Sequence, residues 1–385
     1  MKRIIISSIG TSLLTNSINR QSSQETHWYK ELRNTANYSD SQLESEAPEA
    51  ADIIEYLRDR ALRKLGQADT ATIRNASAEL NGIYGLYNDR LDRGREDIHW
   101  LIPTNTAQGR ASAQIVCDFL RDRHRLNVNI YEETTISTAS SRIFADGIDA
   151  LIVWMEATIP GYRAAGYSVC FNLVGSFKSL QGYLNTIGMF YADEMVYIFE
   201  GEGSDLITIP RLPIAIDPQK VDPYAVELAL MNAGASLSRS EVAGLSEGLL
   251  YAIDDEVTLS NWGKLVWTQR KAEILSADLL PLPRIEYAAT FIQDYKKTAS
   301  HDRQERIKLQ EVLAKVSHLL RASGGNVAAL KGDGGVQYDR YETTSIDHFR
   351  VNLSERISCR STSQGIELRY YGSHAHVQAK EGVKS

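Results

Sequence analysis

The sequence predicts an α/β protein: a doubly wound, mainly parallel sheet, then a small helical module, then a small α+β domain with an antiparallel sheet. Three observations support this prediction. Short apolar runs alternate with helix-compatible stretches over roughly the first two hundred residues, prolines cluster where that pattern stops, and period-two alternation marks three runs near the C terminus. We therefore predict three domains, at residues 1–210, 211–284 and 285–385.

The first domain is assigned from short runs rich in Ile, Val and Tyr. Helix-compatible stretches such as Ala51–Leu65 and Gly109–Arg121 lie between them. Strands that are apolar throughout and alternate with helices are typical of a parallel sheet covered on both faces. Gln21–Glu49 is polar, and we expect an irregular insertion there. The predicted strands are Arg3–Ser8, Ile98–Ile102, Val128–Tyr131, Ala150–Met155, Ser168–Leu173 and Met195–Phe199.

The middle module begins at a proline cluster, because proline interrupts both helices and sheets. Ser238 and Ser260 are suitable N-caps for short helices, so we predict a helical, winged-helix-like module. The prolines at its start are Pro210, Pro213, Pro218 and Pro223.

Composition narrows the class of protein. A chain of 385 residues, 43% apolar and 24% charged, is ordinary for a soluble multidomain protein. No apolar run reaches membrane-spanning length and the N terminus lacks a signal-peptide core, so we expect a cytoplasmic protein without membrane contact. Cys117, Cys170 and Cys359 are too widely spaced for a disulfide framework or zinc site. The net charge of −7 argues against unspecific nucleic-acid coating.

Three loops of the first domain follow predicted strands. They are Gly10-Thr11-Ser12, the segment from Pro103 to Arg110, and the segment from Asn172 to Lys178. Ligands of open parallel sheets bind at the carboxyl ends of strands, where backbone N–H groups at helix starts bind phosphate. Ordinary turns are the alternative interpretation, since Gly and Ser are common in such turns.

These segments, above all FNLVGSFK and PTNTAQGR, resemble the CARF domain of CRISPR ancillary proteins, a Rossmann-like fold. The resemblance implies a homodimer whose crevices bind a cyclic oligoadenylate, with the tetra-adenylate as the expected ring and no further cofactor. Some such domains also cleave their ligand, and Thr11 and Ser12 are then the residues to test. The ligand-binding residues that the resemblance implies are Gly10, Thr11, Ser12, Asn105, Thr106, Gly175, Ser176, Phe177 and Lys178.

The predicted catalytic residues lie in the last domain. Its three alternating runs predict a sheet with one buried face and one face rich in arginine, ending in two histidines. Arginine cannot act as a base, but it stabilises charge on phosphate, whereas histidine titrates near neutral pH. We therefore predict a metal-independent ribonuclease in which Arg350 and Arg356 bind the scissile phosphate. His374 is the expected acid or base, with His376 on the same side of a continuing strand as second choice. Solvated arginines and a His-x-His metal site are the competing interpretations.

The segments LKG, HFRVNLSERIS and GIELRYYGSHAHV are similar to RelE-type mRNA interferase toxins. Matched strand by strand, Arg350 and Asn352 fall at two positions that are usually basic, Arg356 at the basic residue of the next strand, and His374 at the terminal basic or imidazole position. An insertion at Asp333–Asp347 departs from the pattern, and the expected tyrosine has no clear counterpart, which leaves the general base open. The resemblance implies mRNA as substrate and the ribosome as partner. The complete predicted catalytic set is Arg350, Asn352, Arg356, His374 and His376.

Together these features predict a cyclic oligoadenylate-activated endoribonuclease of type III CRISPR defence that cleaves mRNA on the ribosome. Destruction of its own ligand could accompany this activity. The alternative is a ligand-responsive transcriptional regulator, with the winged-helix-like module on DNA and no nuclease activity. Five acidic residues count against it, because they repel DNA phosphate: Glu241, Glu247, Asp254, Asp255 and Glu256.

Overall fold

The structure, a computed structural model, describes residues 2–132, 135–175, 178–198, 205–298, 302–341 and 344–383. The chain forms two compact units, residues 1–214 and 215–385. The predicted α/β architecture, with a mostly parallel sheet and additional antiparallel sheets, is confirmed. Within the described ranges, no helix combines the length and the apolar character needed to cross a membrane.

The first unit is built on a six-stranded sheet. Its strands are β1 Arg3–Ser8, β2 Ile98–Ile102, β3 Asn127–Ile130, β4 Ser168–Asn172, β5 Glu194–Ile198 and β6 Leu206–Pro210. Their spatial order is β3-β2-β1-β4-β5-β6, and only the pairing of β6 with β5 is antiparallel. The order reverses between β1 and β4, so the carboxyl ends of these two strands form the switch point where such sheets bind ligands.

Helices surround this sheet. Ile4, Ile5 and Ile6 of β1 are all fully buried, which requires cover on both faces. The helices are α1 Ser12–Thr15, α2 Ser23–Asn34, α3 Asp40–Glu46, α4 Pro48–Gln67, α5 Thr70–Ala76, α6 Ala78–Leu86, α7 Ala107–Asp118, α8 Ser141–Ala164 and α9 Lys178–Tyr191.

Two predictions for this unit were wrong. Ala150–Met155, predicted as a strand, lies inside α8, whose buried residues Ile148, Leu151, Ile152 and Met155 recur at helical spacing. A short apolar run does not by itself distinguish a strand from a buried helix. The stretch from Gln21 to Glu49, predicted to be irregular, contains α2 and α3, each N-capped by a serine. Both helices are polar because each buries a single leucine.

The second unit contains two sheets. The smaller has the order β7-β9-β8, and the larger has the order β10-β14-β13-β12-β11, antiparallel except where β10 pairs with β14. The strands are β7 Leu237–Ser238, β8 Leu250–Ile253, β9 Glu256–Leu259, β10 Ile285–Tyr287, β11 Asp339–Arg340, β12 Asp347–Arg350, β13 Glu355–Ser361 and β14 Ile366–Ser373. The helices are α10 Pro218–Val221, α11 Ala225–Asn232, α12 Asn261–Ser276, α13 Ala289–Thr298, α14 Arg303–Ala322, α15 Ala328–Lys331 and α16 His374–Glu381.

The stretches 211–284 and 285–385, predicted as separate domains, share one hydrophobic core from residue 221 onward. A buried side chain in α14 connects the two stretches by hydrogen bonds. The Gln310 amide donates to the carbonyl oxygens of Leu275 (2.8 Å) and Asp278 (3.1 Å), and its Oε1 accepts from the Leu280 N–H (2.8 Å). The end of α12 is therefore bound to α14, because its backbone groups find their partners there.

Helix α16 packs on one face of the larger sheet. The Glu381 carboxylate accepts hydrogen bonds from Ser358 Oγ (2.7 Å) and Arg369 Nε (2.9 Å), and its side chain is only 3% exposed. Val377 of this helix is fully buried. The predicted arginine-rich face is thus partly covered, with Arg369 in an ion pair.

We expect Glu381→Ala to lower the free energy of unfolding by about 2 kcal/mol, because the substitution removes charge-assisted hydrogen bonds to two partners. Urea unfolding measures this change. Glu286→Ala, at an exposed glutamate on β10, is the control and should leave the midpoint unchanged. Equal midpoints for the two variants would show that the buried carboxylate does not stabilise the unit.

Candidate functional site

One face of the larger sheet collects four basic side chains. In the antiparallel pair β12–β13, Arg350 lies directly opposite Arg356, and His348 lies opposite Ser358. Residues opposite each other point to the same face, so His348, Arg350 and Arg356 share one face. His374 follows directly after β14 and its ring lies 6.5 Å from that of His348. We call His348, Arg350, Arg356 and His374 the cationic cluster.

The other face of the same strands is apolar, which sets the orientation of the cluster. Phe349, Ile357 and Tyr371 are fully buried in the core. A slip by one residue would bury the arginines instead, so the hydrophobic pattern determines the register. On β14 the neighbour of Arg356 is Gly372, which adds no side chain beside the guanidinium.

The prediction that His374 and His376 lie on a continuing strand was wrong. Both residues lie in the first turn of α16. The Ser373 hydroxyl accepts a hydrogen bond from the His376 N–H (3.3 Å), which caps the helix and ends the strand. Residues two apart on a helix point in divergent directions. His376 contacts α13 instead of the cluster, with Nε2 3.1 Å from Asp294 Oδ2.

Asn352 lies in the connection between β12 and β13. Its Oδ1 accepts from the backbone N–H and the hydroxyl of Ser354 (both 2.9 Å) and from the N–H of Glu355 (2.8 Å). These bonds form an Asx-type turn. Asn352 therefore closes the hairpin that places Arg350 opposite Arg356, and its amide oxygen is already occupied.

Arg356 is buried, and no carboxylate pairs with it among the residues that the structure describes. It is only 9% exposed, and its buried Nε has no hydrogen-bond partner among the described residues. Burial, and then the charge of Arg350, lower the pKa of Arg356. Arg340 and Arg369 on the same sheet are each paired with a carboxylate, at Asp347 and Glu381. A buried guanidinium left unpaired is unfavourable, so this position suits an anionic ligand.

The two imidazoles of the cluster are biased towards the neutral form. Burial lowers the pKa of His374, and the charges of Arg356 and Arg350 lower it further. Burial and the charge of Arg356 likewise lower the pKa of His348, whose Nδ1 is buried with no partner in the described part of the chain. The sequence analysis missed His348, although its spacing of two from Arg350 places it on the same face.

In the first unit, three predicted loops meet at one edge of the sheet, because β1, β2 and β4 are parallel neighbours. The Ile9 N–H donates to Ile102 O (3.0 Å), and Ser8 Oγ donates to Gly175 O (2.6 Å). Gly10, Thr11 and Ser12 are partly exposed there. The predicted residues Ser176 and Phe177 lie outside the described residues, and Lys178 is exposed at the first position of α9.

Asn105 and Thr106 also lie at this edge, but their side chains have local partners. Thr106 Oγ1 accepts from the Gly109 N–H (3.1 Å), which caps α7, and Thr106 is buried. Asn105 Oδ1 accepts from Arg110 Nη2. Thr106 therefore shapes the loop, whereas the partly exposed Asn105 is the better placed of the two to contact a ligand.

The edge also contains a buried carboxylate that the sequence analysis missed. Glu79 of α6 is 2% exposed, and its Oε1 accepts from the Gly10 N–H at 2.6 Å. Oε2 lies 3.4 Å from Ser12 Oγ. A Cβ at Gly175 would collide with this carboxylate, so only glycine fits there. The Gly10 N–H, a predicted phosphate contact, thus has an internal anion as its partner.

A second contact holds α6 at the switch point. Asn172 Nδ2, at the end of β4, donates to Ser7 Oγ (3.2 Å) and to the backbone oxygen of Glu79 (3.3 Å). The backbone of α6 approaches so closely that a Cβ at Gly82 would overlap the Asn172 side chain. These contacts hold the backbone of α6 at Glu79 against the end of β4.

Comparison with known families gives a match over part of the first unit. The model of a CRISPR-associated protein family (Cas_APE2256) matches residues 74–212. The matched segment begins before α6 and ends after β6, and so includes Glu79, Asn105, Thr106, Gly175 and Lys178. It leaves out the Gly10 loop and the cationic cluster. Over this segment the chain is similar to that family, which supports a CRISPR-associated protein with a role in CRISPR defence.

Proposed function

We propose that this protein is an endoribonuclease of CRISPR defence, activated by a cyclic oligoadenylate, that cleaves mRNA without a metal ion. The observation that carries the proposal is the buried Arg356, which lacks a counter-ion in the described chain and lies opposite Arg350 with His374 nearby. Two guanidinium groups beside a neutral imidazole suit the binding and cleavage of a phosphodiester. The family match supports the CRISPR context.

The chemistry requires two proton transfers. The ribose 2′ oxygen loses its proton to His374 and forms a bond to phosphorus, while the bond from phosphorus to the 5′ oxygen breaks. The 5′ oxygen takes up a proton from water, His374 returns its proton to the solvent, and the products are a 2′,3′-cyclic phosphate and a 5′-hydroxyl. Arg350 and Arg356 stabilise the charge that develops on the phosphate oxygens. A depressed pKa keeps His374 neutral and able to accept the proton near pH 7.

In the first unit, the proposed ligand site is the edge formed by the Gly10, Asn105 and Gly175 loops. The resemblance to CARF domains supports a cyclic oligoadenylate there, bound across a homodimer. Glu79 already holds the Gly10 N–H, so a ligand phosphate at that position must displace or neutralise the carboxylate. In this proposal the ribonuclease is inactive until a ligand phosphate replaces the Glu79 carboxylate as the partner of the Gly10 N–H.

The resemblance to RelE toxins supports mRNA on the ribosome as the substrate. A DNA-binding regulator is the weaker proposal. The β8–β9 hairpin, the candidate wing, carries Asp254 and Asp255 at its exposed tip. Carboxylates at that point repel the phosphates of a DNA groove.

The test adds cyclic tetra-adenylate to the purified protein with free RNA and, separately, with translating ribosomes. We expect ligand-dependent cleavage, stronger on ribosomes, with 2′,3′-cyclic phosphate ends and no loss in EDTA. Absence of ligand-dependent cleavage in both reactions would refute the proposal. A gel-shift titration with duplex DNA at low salt measures DNA binding and so tests the weaker proposal of a DNA-binding regulator.

We expect Arg350→Gln to move the acidic limb of the pH–rate profile to higher pH. The Arg350 charge lowers the pKa of His374, together with burial and Arg356. Loss of this charge stabilises the imidazolium and raises the pKa, so His374 becomes protonated at a higher pH than before. Single-turnover rates between pH 5 and 8 measure the shift. Arg360→Gln, an exposed arginine on β13, should leave the profile in place, and an unmoved limb in Arg350→Gln would exclude His374 as the base.

A further inference from the structure

Three rings beside the arginines form a nearly parallel series. The Tyr341 and His348 rings stack with centroids 4.0 Å apart and planes at 10°. The His348 and His374 rings are 6.5 Å apart with planes at 19°. Tyr341 is buried, His348 is half-buried and His374 is exposed, so the series runs from the core to the surface.

The two intervals differ in what they can hold. Adjacent bases in a nucleic-acid strand are spaced by about 3.4 Å, so the contact between Tyr341 and His348 is a filled stack. The interval between His348 and His374, at 6.5 Å, is about twice that spacing. Two nearly parallel rings that hold one flat ring between them have centroids at about this separation.

We propose that His348 and His374 form a slot that binds one nucleobase of the RNA substrate, stacked between the two imidazoles. This inference rests on the proposed ribonuclease function and adds a base-binding site to it. Arg350 and Arg356 lie on the same sheet face, so a base in the slot places its own phosphate beside the guanidinium groups. The slot uses the face of the His374 ring and leaves the ring nitrogens at its edge for proton transfer.

The surroundings favour stacking at His348. Burial and nearby arginines depress the pKa of both imidazoles and so favour neutral rings. The Tyr341 ring stacks on the His348 ring, and this contact restricts the orientation of the His348 ring before RNA binds. Stacking of a base on an aromatic side chain contributes about 1–3 kcal/mol. The slot therefore selects single-stranded RNA with an unstacked base, because a base within a duplex has no free face.

The competing role for His348 is proton transfer, and substitutions separate the two. His348→Phe keeps a flat ring and removes the titratable nitrogens, whereas His348→Ala removes the ring. We expect His348→Phe to cleave RNA within a few-fold of wild type, and His348→Ala to raise KM at least tenfold with a smaller change in kcat. His27→Ala is the matched control, because it removes an exposed histidine of the first unit and should change neither KM nor kcat. Equal inactivation by Phe and Ala at position 348 would overturn the slot.

A binding measurement separates the slot from the catalytic proposal. A non-cleavable RNA oligonucleotide with 2′-deoxy substitution at the scission site and 2-aminopurine at the adjacent base reports stacking by fluorescence quenching. We expect quenching with wild type and His348→Phe, and little with His348→Ala. Binding without quenching overturns the slot and leaves the ribonuclease proposal standing. No binding of the oligonucleotide overturns the slot, while ligand-dependent cleavage decides the fate of the enzyme proposal independently.

Discussion

Arg356→Ala is expected to reduce RNA cleavage by roughly 10²- to 10³-fold, the usual effect of removing one preorganised group that stabilises transition-state charge. Arg356 is the most deeply placed cation of the cluster and lies between Arg350 on β12 and Gly372 on β14. Its Nε has no partner within the described residues, and in the proposed function the guanidinium binds a phosphate oxygen of the substrate. Single-turnover cleavage of RNA with the activating ligand present measures the loss.

Stability should respond differently from activity. Arg356 is a buried cation with no ion pair among the described residues, and such a cation is unfavourable for folding, so Arg356→Ala should keep or raise the melting temperature. A loss of activity without a loss of thermal stability would identify Arg356 as a residue that supports function and lowers stability. Arg360→Ala on the same strand is exposed and should change neither quantity, whereas Arg356→Lys should recover part of the rate through its charge. Full cleavage by Arg356→Ala would remove the phosphate-binding role.

Glu79→Gln is expected to raise the affinity for cyclic tetra-adenylate by roughly tenfold, about 1.4 kcal/mol. The wild-type carboxylate holds the Gly10 N–H and lies against Gly175, at the position where a phosphate would bind. Two anions cannot share that donor, and their repulsion at short range in a buried site amounts to a few kcal/mol. The neutral amide keeps the shape of the side chain and removes this repulsion. Isothermal titration calorimetry measures the affinity.

The direction of the change decides the role of Glu79. If the carboxylate instead accepts a hydrogen bond from a ribose hydroxyl or an adenine amine, Glu79→Gln will bind the ligand more weakly. Glu96→Gln removes an exposed glutamate of the same unit and should have no effect. Increased basal RNA cleavage by Glu79→Gln in the absence of ligand would be a second sign that the carboxylate maintains the resting state.

Local pattern was sufficient for much of the fold. Five of the six strands predicted in the first unit occur within a residue or so of their predicted limits, because strands buried inside a sheet form short runs rich in apolar residues. The three alternating runs near the C terminus form β12, β13 and β14 for a similar reason, since period-two alternation places one face in the core. The misassigned strand at Ala150–Met155 shows the limit of this approach, because a buried segment of a long helix is equally apolar.

The features of the candidate sites also separate into those that the sequence predicts and those that depend on the tertiary structure. The sequence by itself determined that Arg350 and Arg356 point to one face, that three loops lie at one sheet edge, and that histidines follow the last strand. Only the tertiary structure decided that Glu79 accepts a hydrogen bond from the Gly10 N–H, that His376 contacts Asp294, and that the His348 and His374 rings lie nearly parallel with centroids 6.5 Å apart. Periodicity along one segment defines the direction of a side chain. Its partner depends on which distant segment packs there, and that choice is made by the core as a whole.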